Sequence, residues 1–153
     1  MNRSDLIDQY AAGPAEVRAA LAGVTAAELD ERPAPDAWTA REIAHHLADS
    51  ETNSYLRLRR LLAEDGVVIT GYDEADWARK LRYDRPIEPS LAVLDAVRAA
   101  STQLLRTLAD ADFERAGTHS ESGAYSVADW LTIYAAHAHD HADQIRRARK
   151  GLI

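Results

Sequence analysis

Trp38-Thr39-Ala40-Arg41-Glu42-Ile43 and, later in the chain, Tyr125-Ser126-Val127-Ala128-Asp129-Trp130 decide the fold. In each, an aromatic residue precedes a hydroxyl residue, and an acid follows three positions after the hydroxyl. This is the pattern of a capping box. The hydroxyl oxygen accepts from an orphan backbone N–H, the acid reaches back to the cap, and the aromatic can staple against a residue of the first turn. Each stretch therefore opens a helix. Small and apolar residues then recur at helical spacing, through Ile43, Leu47, Ser50, Ser54, Leu58 and Leu61 in the first and through Trp130, Tyr134, His137, His141 and Ile145 in the second. Gly66 marks the end of the first, and basic residues from Arg146 to Lys150 suit the negative end of the second.

Two more helices flank these. One follows Pro89-Ser90, with Leu91, Leu94, Val97, Ser101, Leu105 and Leu108 on one face. The other, near the N-terminus, carries Leu6, Ile7, Tyr10, Val17 and Leu21, and Gly13-Pro14 must kink it or start it afresh. The segment from Leu21 to Leu29 has a weak counterpart from Leu108 to Glu114, each leading to an aromatic-capped helix, which suggests two related helical hairpins. Between the hairpins lies a long connection, about residues 65 to 89, with Asp73, Asp76, Trp77 and Tyr83. A connection of this length can run along a bundle, so that the second and third helices lie parallel.

The 153 residues suit one domain covering 1–153 and one core, and at this length folding buries roughly 70% of the chain's surface. Leu, Ala, Glu, Gln and Arg prevail over β-branched residues, which favours an all-α protein. The mean hydropathy of −0.37 and the absence of any apolar run near 20 residues argue against a membrane span, and the N-terminus has no secretory h-region, so a cytoplasmic location is expected. A net charge of −7 argues against direct nucleic-acid binding, and Arg57-Leu58-Arg59-Arg60 is too short a basic run to change that. With no cysteine, the chain has no disulfide, no thiolate metal ligand and no thiol nucleophile of its own.

Six histidines carry the chemical information. His137 and His141 lie one turn apart on the inner face of the last helix, while His139 points away. His46 borders the stripe of the second helix, with His45 further round toward its outer face. Two imidazoles at this spacing and a third from a facing helix can form a three-histidine metal site with positions left open, although core-edge histidines satisfied by hydrogen bonds would show the same spacing. Asp140 lies beside both His137 and His141, and Asp49 follows His46 by one turn. Either could orient a ligand or take a proton, or be a solvated carboxylate. Tyr134, one turn before His137, could bond a bound group or pack in the core. Glu51, beside Arg57 and Arg59, reads as part of a charged outer face, and Trp38 and Trp130 read as staples.

The run Trp38 to Glu51 and the run Tyr125 to Ile145, with its Tyr134-Ala135-Ala136-His137-Ala138-His139-Asp140-His141 centre, resemble the two signature helices of the DinB/YfiT-like superfamily. The likeness covers nearly the whole chain. It implies a four-helix bundle on an up-down-down-up path, with one divalent metal, zinc or nickel, held by His46, His137 and His141. It also implies a metal-dependent enzyme, the first expectation being S-transfer from a small-molecule thiol to a small electrophile. Without a cysteine, the sulfur would have to come from that cosubstrate. The alternatives are a metal-dependent hydrolase using metal-bound water, or a non-catalytic, stress-related bundle that binds a small ligand. A homodimer is a further expectation of the resemblance.

Overall fold

A computed structural model describes all residues, 1–153. Six helices are present: α1 (Arg3–Ala20), α2 (Ala26–Leu29), α3 (Ala40–Ala63), α4 (Glu74–Lys80), α5 (Glu88–Thr107) and α6 (Val127–Ala148), with a 3-10 helix at Asp110–Glu114. The four long ones, α1, α3, α5 and α6, make the bundle. None is long and apolar enough to cross a membrane. Both anticipated capping boxes form. Thr39 Oγ1 accepts from the Glu42 N–H at 3.1 Å and Ser126 Oγ from the Asp129 N–H at 3.0 Å, while each acid side chain accepts from its cap's backbone N–H.

Side-chain pairs between helices fix the path. Arg18 with Asp95 and Arg106 with Asp8 set α1 and α5 antiparallel. His45 with Ser90 and Glu51 with Arg98 set α3 and α5 parallel. Ser54 with Trp130, and His46 with His141, set α3 and α6 antiparallel. The path is thus up-down-down-up, and the connection after α3 carries the chain back along the bundle. The touching pairs are α1/α6, α6/α3, α3/α5 and α5/α1. Consequently α1 and α3 are diagonal, as are α5 and α6, so the two halves are not packed hairpins. Connections of nineteen residues, 21–39 and 108–126, each opening on a short helix, cross the bundle ends and permit this.

One expectation changes here, and one feature is added. First, α1 is one continuous helix through Gly13-Pro14. Proline removes a hydrogen bond to the carbonyl four residues earlier, and that carbonyl, Tyr10 O, accepts instead from Arg98 Nη1 at 2.8 Å. Second, a small sheet, which the sequence reading did not include, accompanies the helical bundle. β1 (Val68–Ile69) runs parallel to β2 (Ala116–His119), which pairs antiparallel with β3 (Gly123–Ser126). A Cβ at position 117 would lie 2.4 Å from Val67 O, so only glycine allows this approach.

The core has two apolar clusters, one at each end. One gathers Leu58, Leu61, Ile69, Leu105, Phe113 and Trp130 near the sheet, and the other gathers Val17, Ile43, Leu47, Leu91, Leu94 and Ile145. Between them runs a polar layer of buried Ser50, Glu51, Ser54, Arg98 and Ser101.

Candidate metal centre

The cap at Thr39 places His46 in the second turn of α3, while α6, running the other way, brings His137 and His141 against it. One nitrogen from each of the three rings lies within 4.8 Å of the others. The ring centroids are 4.6 Å apart for His137 and His141, 4.8 Å for His46 and His141, and 5.9 Å for His46 and His137. The three anticipated ligand positions therefore meet.

What surrounds the rings prepares them further. Glu51 Oε1 accepts from His137 Nδ1 at 3.2 Å and Gln144 Oε1 accepts from His141 Nδ1 at 2.7 Å. A carboxylate or carbonyl oxygen can only accept here, so Nδ1 carries a proton on each ring, and in the singly protonated ring Nε2 keeps its lone pair, which on His137 lies 3.5 Å from Ser50 Oγ. His46 Nδ1 is buried without any hydrogen-bond partner. A buried orphan of this kind is costly unless something else engages it. Burial, with the two neighbouring imidazoles adding to it, pushes His46 down to about 3, and burial with His137 beside it pushes His141 down to about 4. Both rings are neutral at physiological pH, which is the ligand form. A buried orphan nitrogen on one ring beside two imidazoles oriented by hydrogen bonds fits a divalent metal ion.

Tyr134 is buried with its ring 5.4 Å from that of His137. Its Oη accepts from Arg57 Nη1 at 3.2 Å, and burial raises its pKa, so the phenol stays protonated. Asp49 accepts from Tyr83 Oη at 2.6 Å, tying the stretch after α4 to α3 and making no bond to a histidine. Asp140 is exposed and makes no hydrogen bond within the chain, the solvated-carboxylate outcome. Trp38 is more than a staple, since its ring lies 4.6 Å from His46 and walls the site, whereas Trp130 is core and donates to Ser54 O at 3.0 Å.

Two buried groups contradict the sequence reading. Glu51 is 0% exposed, not on an outer face, because it sits between Leu47 and Leu58 on the inner stripe and meets Arg98 of α5. Burial works to raise its pKa, but the Arg98 and His137 contacts outweigh that and hold it low. Arg98 interrupts the Leu91–Leu94–Leu105 stripe at the same depth. Opposite charges on two apolar stripes were the available signal. His45 is also buried. Its Nε2–H donates to Arg85 O and its Nδ1 accepts from Ser90 Oγ, both at 2.7 Å. Sequence reading also passed over Tyr72, whose Oη is buried beside Ser50 without a hydrogen-bond partner.

Known proteins share this plan. A protein of Oceanobacillus iheyensis, provisionally named a metal-dependent hydrolase, is 41% identical over 118 residues, 77% of this chain and 69% of that protein. YfiT of Bacillus subtilis, named in the same way, is 36% identical over 135 residues, 86% of this chain and 75% of YfiT. The solved structure of YfiT, described as a probable metal-dependent hydrolase with an unusual four-helix bundle topology, superposes with a TM-score of 0.90 at 31% identity, covering 100% of this chain and 91% of that one. The DinB superfamily model matches residues 9–145, a span that includes all three converging histidines, most of each of the four long helices and the capped starts of α3 and α6; the chain belongs to the DinB superfamily.

Proposed function

We propose that this protein is a metal-dependent hydrolase of small molecules, with His46, His137 and His141 holding one divalent ion, zinc or nickel. The observation that carries the reading is the meeting of three imidazoles, one of which, His46, has a buried nitrogen that nothing in the chain satisfies. The names of the relatives support hydrolysis ahead of thiol transfer, the reverse of the order expected from sequence. When bound, the ion would supply Lewis acidity and an activated water at neutral pH.

The chain's own side chains supply the rest. Glu51 and Gln144 hold the His137 and His141 rings in one tautomer, so no reorientation is needed at binding. Tyr134, already accepting from Arg57, keeps its own proton free to donate to an oxygen that gains negative charge beside His137. Trp38 covers the His46 side and limits water there. Asp49 ties the stretch after α4 to α3 through Tyr83, and Asp140 stays in solvent.

Tag-free protein reloaded with zinc or nickel is tested for turnover of 4-nitrophenyl acetate without added thiol. Metal-dependent turnover that falls at least tenfold in Tyr134→Phe supports the proposal. Turnover of an epoxide or halide that requires a small thiol, with no ester or amide hydrolysis, would restore the transferase reading.

A further inference from the structure

The buried ion pair of Glu51 and Arg98 has more partners than an ion pair needs. Glu51 Oε1 accepts from Arg98 Nη2 at 2.6 Å and from His137 Nδ1 at 3.2 Å, and Oε2 accepts from Arg98 Nε at 2.9 Å and from Ser54 Oγ at 3.4 Å. The carboxylate is thus clamped on both oxygens with one edge presented to His137. Arg98 is clamped in turn. Its Nη1 donates to Tyr10 O, and its guanidinium lies 3.9 Å over the Tyr10 ring.

The socket for Arg98 is written into α1. A carbonyl inside a helix is ordinarily taken by the N–H four residues later, and Pro14 has no N–H, so Tyr10 O is free. Gly13 clears the space, because a Cβ there would lie 3.1 Å from Arg98 Nη1 and 2.8 Å from Ala138 Cβ. Stability alone does not account for this construction. A buried ion pair is often no better than well-packed apolar residues of the same volume, and a proline inside a helix costs a hydrogen bond.

We propose that Gly13, Pro14, Arg98 and Glu51 form a positioning relay, in which the carbonyl released by Pro14 anchors Arg98, Arg98 anchors Glu51, and Glu51 holds His137 with Nδ1 protonated and the Nε2 lone pair available to the ion, Ser50 Oγ at 3.5 Å being the one partner of that nitrogen in the chain. These are positioning residues, since none touches the ion or the substrate. The effect on metal binding rests on the assignment of His137 as a ligand, while the effect on its tautomer does not.

Two variants test the relay. Glu51→Gln keeps the volume and removes the charge. Pro14→Ala is remote from the histidines and returns an N–H that competes with Arg98 for Tyr10 O. Nitrogen NMR of the metal-free protein reads the His137 tautomer, and zinc titration reads affinity. The relay predicts a dominant Nδ1–H form in the wild type and a mixture in both variants. Zinc affinity should fall about 10- to 100-fold in Glu51→Gln and by a smaller factor in Pro14→Ala. Pro14→Ala should do so with its thermal stability kept or raised, because the helix regains a bond. Stability and affinity moving in opposite directions would not follow from a merely structural role. Unchanged tautomer and unchanged zinc affinity in Pro14→Ala would overturn the relay, including when Glu51→Gln does not fold. If the wild type binds no zinc, the metal assignment fails, and the tautomer measurement still decides the relay.

Discussion

Two sets of histidines occupy this protein, three in each. His45, His139 and His119 are spoken for. His45 is engaged on both nitrogens by Arg85 O and Ser90 Oγ, His139 Nε2 donates to Gln9 O at 2.8 Å, and His119 Nδ1 accepts from the Glu121 N–H at 3.1 Å. His46, His137 and His141 are instead gathered with one nitrogen of each ring within 4.8 Å of the others; His46 Nδ1 has no hydrogen-bond partner, and His137 Nε2 has only Ser50 Oγ, at 3.5 Å. Burial does not separate the sets, for His45 is 0% exposed and His46 2%. What separates them is whether their nitrogens converge on one another or each ring bonds elsewhere in the chain. A buried histidine with both nitrogens satisfied, as His45 is, is structure, and three whose nitrogens converge around one unpartnered buried nitrogen are a candidate site.

The comparison can be broken at several points. The largest effect is expected at the anchor of the open set. Glu51→Ala strands Arg98 in the core and should cost about 3–5 kcal/mol in denaturant unfolding, whereas replacing Glu51 and Arg98 together by apolar residues should recover most of that. Acid comes next. The unfolded chain takes up protons on histidine near pH 6.5, but folded His46 and His141 do so only near 3 and 4. Their contribution to stability is therefore full above pH 6.5 and is lost as pH falls toward 4, at about 1.4 kcal/mol per pH unit for each histidine. Between pH 7 and pH 5 the metal-free protein should lose about 2–4 kcal/mol, and His141→Gln should flatten that slope. In the closed set, His45→Ala leaves Ser90 and Arg85 O without their partner and should cost about 1–3 kcal/mol, with zinc stoichiometry unchanged. The smallest effect is at Asp140, which bonds to nothing. Asp140→Asn should stay within about 0.5 kcal/mol of the wild type.

Much of the open set is legible in local spacing. The caps at Thr39 and Ser126 fix where α3 and α6 begin, and with them the inward face of His46, His137 and His141. The closed set was less legible, because the partners of His45 lie in the approach to α5 and its first turn, forty and forty-five residues away. Glu51 was missed for a related reason. A lone charge on an apolar stripe reads as exposed until the facing helix is known to carry Arg98 at the same depth. The strands escaped notice because β1 has two residues and β2 begins Ala116-Gly117, with little β propensity to show. The continuity of α1 through Pro14 depends on a hydrogen bond from another helix, which no local pattern of α1 contains.

The most direct test of the division between the two sets is bound zinc per chain, by elemental analysis of tag-free protein equilibrated with zinc and dialysed, for the wild type, His141→Ala and His45→Ala side by side. About one equivalent in the wild type and in His45→Ala, with none in His141→Ala, is the predicted result. Zinc absent from the wild type, or retained undiminished in His141→Ala, would contradict it.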